Sequence, residues 1–162
     1  MSVGEQVGSD HQLARLLQIG VVLEEVVEAR AYQHYQQLPE GERDEEIEAL
    51  LEDAREESAR HRAELEELID ALDARSIPFE EIQSLVAERY GRSEPENFDD
   101  VLYDQLNGEE TAYKFYDDLL AAVEESDVEF GVDRGALVET LSAIRADEEA
   151  GVEEVTRLME ER

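Results

Sequence analysis

The chain has 162 residues, with 45 acidic against 14 basic side chains for a formal net charge of −31, no cysteine, and a hydrophobic share of 41%. That length suits one domain with a real core, and the hydrophobic share separates so acidic a chain from disordered ones. The composition excludes disulfides, thiolate metal sites and a cysteine nucleophile, and the charge repels nucleic acid and anionic lipid, with no Lys/Arg cluster as an exception.

Residues 1–10 are expected to be unstructured. Their sequence, within "MSVGEQVGSDHQ", has neither the basic start nor the apolar core of a signal peptide. Pro and Gly are scarce and long segments have helical period, so the expected fold is all-α. A first helix is predicted from His11 to Leu38, stopped by Pro39 to Gly41. Its apolar run, around Ile19 to Leu23, is too short to span a membrane. A second helix is predicted from Asp44 to Arg75, its early acidic residues suiting the positive end of the helix dipole. Ile47, Leu51, Ala54, Ser58, His61, Leu65, Leu68 and Leu72 follow alternating steps of four and three, the seam of a packed bundle helix.

Between Ser76 and Asp100 the period breaks. "PFEEIQSLVAERYG" reads as a shorter helix closed by Gly91, and "RSEPENFDD" as a loop. A third helix is predicted from Val101 to Glu125. After the turn "SDVEFGVD", with Asp133 as N-cap, a fourth runs from Arg134 along Leu137, Leu141, Ile144, Glu148, Gly151, Val155 and Leu158. Hairpin, long connection, hairpin is the order of a ferritin-like four-helix bundle, over residues 11–162.

Two segments repeat one pattern. "EARAYQHYQQL" (28–38) and "EETAYKFYDDL" (109–119) both read E-x-x-A-Y-x-x-Y-x-x-L, so the first and third helices are equivalent members of two halves. Glu28, His61, Glu109 and Glu148 are polar residues on otherwise apolar stripes. An unpaired buried carboxylate costs several kcal/mol or takes up a proton, so several at one level call for a cation. Carboxylate oxygens and imidazole suit divalent iron or manganese.

The repeat, with a Glu/His layer on the second and fourth helices, resembles the ferritin-like superfamily, the rubrerythrin-like branch being the nearest match. The resemblance implies terminal glutamates at Glu28 and Glu109, and an E-x-x-H pair on each of the other two helices, together enclosing two metal ions. Here the second helix reads "SARH" (58–61) and the fourth "EEAG" (148–151), so each keeps a different member of its pair. The six-ligand site of the family is therefore incomplete. Glu28, His61 and Glu148 remain as a set for one iron or manganese ion, Glu109 can share Glu148 with a second, and Glu57 can swing inward for the lost glutamate. Glu24 lies one turn before Glu28. The implied activity is iron oxidation or peroxide reduction, with an electron donor outside the chain, since no rubredoxin-type cysteines are present. The implied assembly is a homo-oligomer, with a dimer favoured.

A blander reading stands beside this one. Acidic residues fall on any stripe in such a chain, a lone core histidine is commonly structural, and Ser58 and Gly151 are what a metal-free interaction or dimerisation module would carry. Tyr32, Tyr35, Tyr113, Phe115 and Tyr116 read as packing residues, with Tyr35 or Tyr116 able to hydrogen-bond a site carboxylate. No phosphate loop, H-E-x-x-H or G-x-S-x-G motif is present. The acidic surface reads as halophilic, haloarchaeal in type, because concentrated counterions screen self-repulsion. The expected location is the cytoplasm.

Overall fold

The computed structural model describes residues 7–42, 44–72 and 98–161, apart from the side chains of 26–34, 42, 98–101, 103 and 104. Among the described residues there are four long helices, α1 (Asp10–Gln36), α2 (Glu45–Ala71), α3 (Phe98–Glu125) and α4 (Arg134–Glu160), with a 3-10 turn at Glu40–Glu42. No strand occurs among the described residues. Each helix is about 40 Å long at 1.5 Å per residue.

The ends follow local chemistry. The carboxylate of Asp44 accepts the backbone N–H of Glu46 at 2.8 Å, and that of Asp133 accepts the N–H of Ala136 at 3.0 Å. Each satisfies a donor that the first helical turn leaves free. α2 stops before Arg75, where the Leu72 N–H turns back to the Ile69 carbonyl. α3 starts at Phe98, three residues before Val101, so "FDD" is a first helical turn and not the end of a loop. The expected short helix within 78–91 and the loop before Phe98 lie outside the described residues. At the N-terminus, Val7 is fully buried and its carbonyl accepts the Ser126 hydroxyl, so chain order begins ahead of His11. Arg134 ties the α3–α4 turn, donating to the carbonyls of Val123, Ser126 and Val128 at 2.6 to 2.8 Å.

α1 packs along α2, α3 along α4, and α1 also lies on α3; α2 and α4 meet along a thinner seam. Leu72, at the end of α2, joins the apolar cluster of Leu13 and Leu17. Leu102, at the start of α3, joins Tyr35 and Ile47 at the other end of the bundle. Gly20 admits the close approach of α1 and α3, since a Cβ there would sit 3.3 Å from Phe115 and 3.5 Å from the Tyr116 hydroxyl.

The core is layered. One apolar cluster holds Leu13 to Leu23 of α1, Leu65 to Leu72 of α2, Ala112 to Val123 of α3 and Leu137 to Ile144 of α4. The other holds Tyr35, Ile47, Leu51, Leu102 and Val155. On every helix a buried polar residue falls between them: Glu24 on α1, Ser58 and His61 on α2, Gln105 and Glu109 on α3, Glu148 on α4. The apolar stripes thus fix the height at which these groups meet.

Candidate metal centre

His61 is the hub of the polar layer, with a side chain 1% exposed. Its Nδ1 lies 3.2 Å from Glu24 Oε1 and 3.3 Å from Glu148 Oε1. Its Nε2 faces outward, 2.9 Å from Asp147 Oδ2 and 3.9 Å from Glu57 Oε1. Asp147 is held in turn by Arg60 at 3.0 Å. Tyr116 donates its hydroxyl to Glu24 Oε1 at 2.7 Å, and Gln105 donates its amide to Glu109 Oε1 at 2.7 Å. The second oxygen of Glu24 is buried and has no hydrogen-bond partner.

Charge is unevenly distributed here. Burial disfavours the imidazolium, but Glu24, Asp147 and Glu57 outweigh it and lift the His61 pKa from 6.5 to about 9. Burial pushes Glu148 well above the ordinary carboxylate range, and its contacts with Glu109 and Glu24 push it the same way. Burial also raises Glu109, which is relieved by accepting from Glu148 and Gln105. The Glu109–Glu148 pair therefore holds a proton between its two carboxyl groups. Glu57 is raised to about 7 by burial, against the lowering pull of His61. Burial and the charge of Glu24 keep Tyr116 firmly protonated. Three buried carboxyl groups thus share one layer with one imidazole. No hydrogen bond or ion pair from arginine or lysine reaches them among the described residues.

The site residues expected from sequence fare differently. His61 and Glu148 come together. Glu109 reaches the same layer but is turned toward Gln105 and Gly151. Glu57 stands on the outer side of His61, its side chain 30% exposed. Glu28 lies on α1, but its side chain is outside the described residues; Glu24, one turn earlier, supplies the α1 carboxylate that meets His61. Asp147 and Gln105 were not singled out from sequence, whereas Tyr116, one of the two tyrosines expected to be able to reach a site carboxylate, does so at Glu24. Tyr35, the repeat partner of Tyr116, instead donates to the Asp44 carbonyl and accepts the Asp44 N–H, each at 3.0 Å.

The two halves differ where the repeat aligns them. Gly151 corresponds to His61, and Glu148 to Ser58. A Cβ at 151 would lie 2.7 Å from Cδ and Oε2 of Glu109, so the Glu109 carboxylate occupies the space a side chain there would need. The two-ion arrangement of the resembled family therefore does not fit: one bridging glutamate and one histidine are missing, and Glu109 fills the second place. A single ion fits. Glu24, His61 and Glu148 each offer one ligand atom, all within 4.8 Å of one another. Bonds of ~2.1 Å to one ion put neighbouring ligand atoms about 3 Å apart, close to the two distances at Nδ1. Glu57, His61 and Asp147 form an outer group of similar spacing. A neutral imidazole has one lone pair, however, so it serves one group only. With Nε2–H donated to Asp147, that lone pair is on Nδ1 and points inward.

Compared with known proteins, the chain matches no family profile, no curated protein and no solved structure. Among the described residues, no helix is long and apolar enough to cross a membrane.

Proposed function

We propose that this protein is a ferritin-like bundle of rubrerythrin-like type that holds one divalent iron or manganese ion through Glu24, His61 and Glu148. The carrying observation is the second oxygen of Glu24, buried and unpartnered on a carboxylate whose first oxygen meets His61. A buried carboxylate oxygen left bare costs about 1–3 kcal/mol or more, and coordination would satisfy it. The helix neighbours also support the reading, since pairing α1 with α3 and α2 with α4 is what two hairpins joined by a long crossover produce.

The ion, when bound, supplies a change of redox state and an open coordination position, the chemistry of iron oxidation or peroxide reduction. The protein's own groups do the rest. Glu24 and Glu148 balance the charge, Asp147 orients the imidazole, and Tyr116 fixes one oxygen of Glu24 so that the other stays free. The apolar clusters on either side keep bulk water out. The acidic surface fits a halophilic protein, and the external electron donor and dimeric assembly belong to the same proposal.

Metal analysis after purification without chelator and loading with ferrous iron tests this reading. Near-stoichiometric metal is expected, lost in Glu24→Ala/His61→Ala. Less than about a tenth of an equivalent would overturn it. One observation favours a metal-free reading: the imidazolium of His61, set between Glu24 and Asp147, already balances charge in the layer. The His61 ring resonances separate the two. In a metal site their titration moves when manganese or zinc is added; in a structural core they stay put.

A further inference from the structure

We infer that the cleft between α2 and α4 is the route by which a hydrated divalent cation reaches the inner carboxylates, and that Glu109 hands it across at Gly151. The inference rests on the metal-binding reading above. Among the described residues, the two apolar clusters flank the polar layer along the bundle, and α1 and α3 approach closely at Gly20. On the α2–α4 side the helices part, leaving a cleft of about 680 Å³. Six waters at about 30 Å³ each, the shell of a hydrated ion, need roughly 200 Å³. The cleft therefore admits the cation without stripping its water first.

Its walls favour that cargo. Asp53 and Glu57 of α2 face Asp147 and Glu154 of α4, and carboxylates along low-dielectric walls concentrate cations. The cleft's basic residue, Arg157, is already paired with Glu154 at 2.6 Å and Glu161 at 2.8 Å. Glu109 is the member of the buried set that also lines the cleft. One oxygen is anchored by Gln105, and the carboxylate touches Glu148, an inner ligand. It thus contacts both the cleft and the site. Gly151 makes this possible, because any side chain there would collide with the Glu109 carboxylate.

The test uses chelator-stripped protein and Co²⁺, whose visible absorption reports coordination by stopped flow, with a chelator chase for release. Ala54→Leu narrows the cleft from its α2 wall, and Gly151→Ala displaces Glu109; circular dichroism checks that both variants fold. Uptake should slow about tenfold or more in each. A shared path is traversed in both directions, so release from Ala54→Leu should slow by the same factor while affinity and stoichiometry hold. Wild-type rates in both variants, or faster release from Ala54→Leu, would overturn the route. A wild-type protein that develops no cobalt spectrum would refute the metal site itself, a distinct outcome.

Discussion

Replacing His61 with glutamine removes the cation of the polar layer while keeping a side chain of similar reach. The native structure holds the His61 proton more tightly than the unfolded chain, with a pKa of about 9 against 6.5. Its contribution to stability is therefore fully present below pH 6.5, declines as pH rises, and is gone above about 9. At about 1.4 kcal/mol for each tenfold change in proton affinity, the full effect is about 3 kcal/mol. Burial of the side chain removes the need to discount this for solvent screening. Glu57 complicates only the lower part of the range: its pKa is raised to about 7, so its own effect is lost between 4.5 and 7. The assay is urea unfolding of metal-free protein at constant high salt, with wild type and His61→Gln compared at steps from neutral pH upward. The gap between them should close by most of that 3 kcal/mol as pH passes 9. A gap that stays constant, or widens with pH, would refute the charge assignment on which the layer's electrostatics rest.

Tyr116→Phe removes a hydroxyl donated to a buried carboxylate at 2.7 Å. Denaturant midpoints should fall by the equivalent of about 1.5–3 kcal/mol, the range for hydrogen bonds to charged groups. Tyr35→Phe, which loses its hydrogen bonds to the Asp44 backbone, should cost about 1 kcal/mol. Manganese at a hundred times its dissociation constant should stabilise the folded protein by about 2.7 kcal/mol. Since His61 must release its Nδ1 proton and Glu148 its carboxyl proton to coordinate, calorimetric affinity should rise with pH from neutral through 9; affinity independent of pH would exclude His61 as a ligand.

The stripes were legible because burial imposes them. Ile47, Leu51, Ser58, His61, Leu65 and Leu68 on α2, and Leu137, Leu141, Ile144, Glu148, Val155 and Leu158 on α4, are all buried as their spacing predicts. That Glu24 meets His61 was not legible. Residues four apart share one helix face, so periodicity cannot say which is level with His61. That height depends on how the hairpins pack, in which Gly20 and the α1–α2 turn take part. Asp147 escaped notice because it lies one position from Glu148, about 100° around α4 and off the apolar stripe; only the neighbouring helix shows that it faces His61 Nε2. The Glu109 placement was hidden for a related reason, because a glycine announces missing atoms but not which neighbour moves into the gap.

The layer joining Glu24, His61, Tyr116 and Glu148 draws one group from each helix at a single height. Leucines offer no comparable discrimination, because an apolar stripe displaced by one turn, about 5.4 Å, still finds apolar neighbours. A similar slip here would strand carboxyl groups in hydrocarbon. The network therefore works as an alignment pin, specifying one vertical setting of the four rods, and any mutation that empties it should first cost the fold its uniqueness.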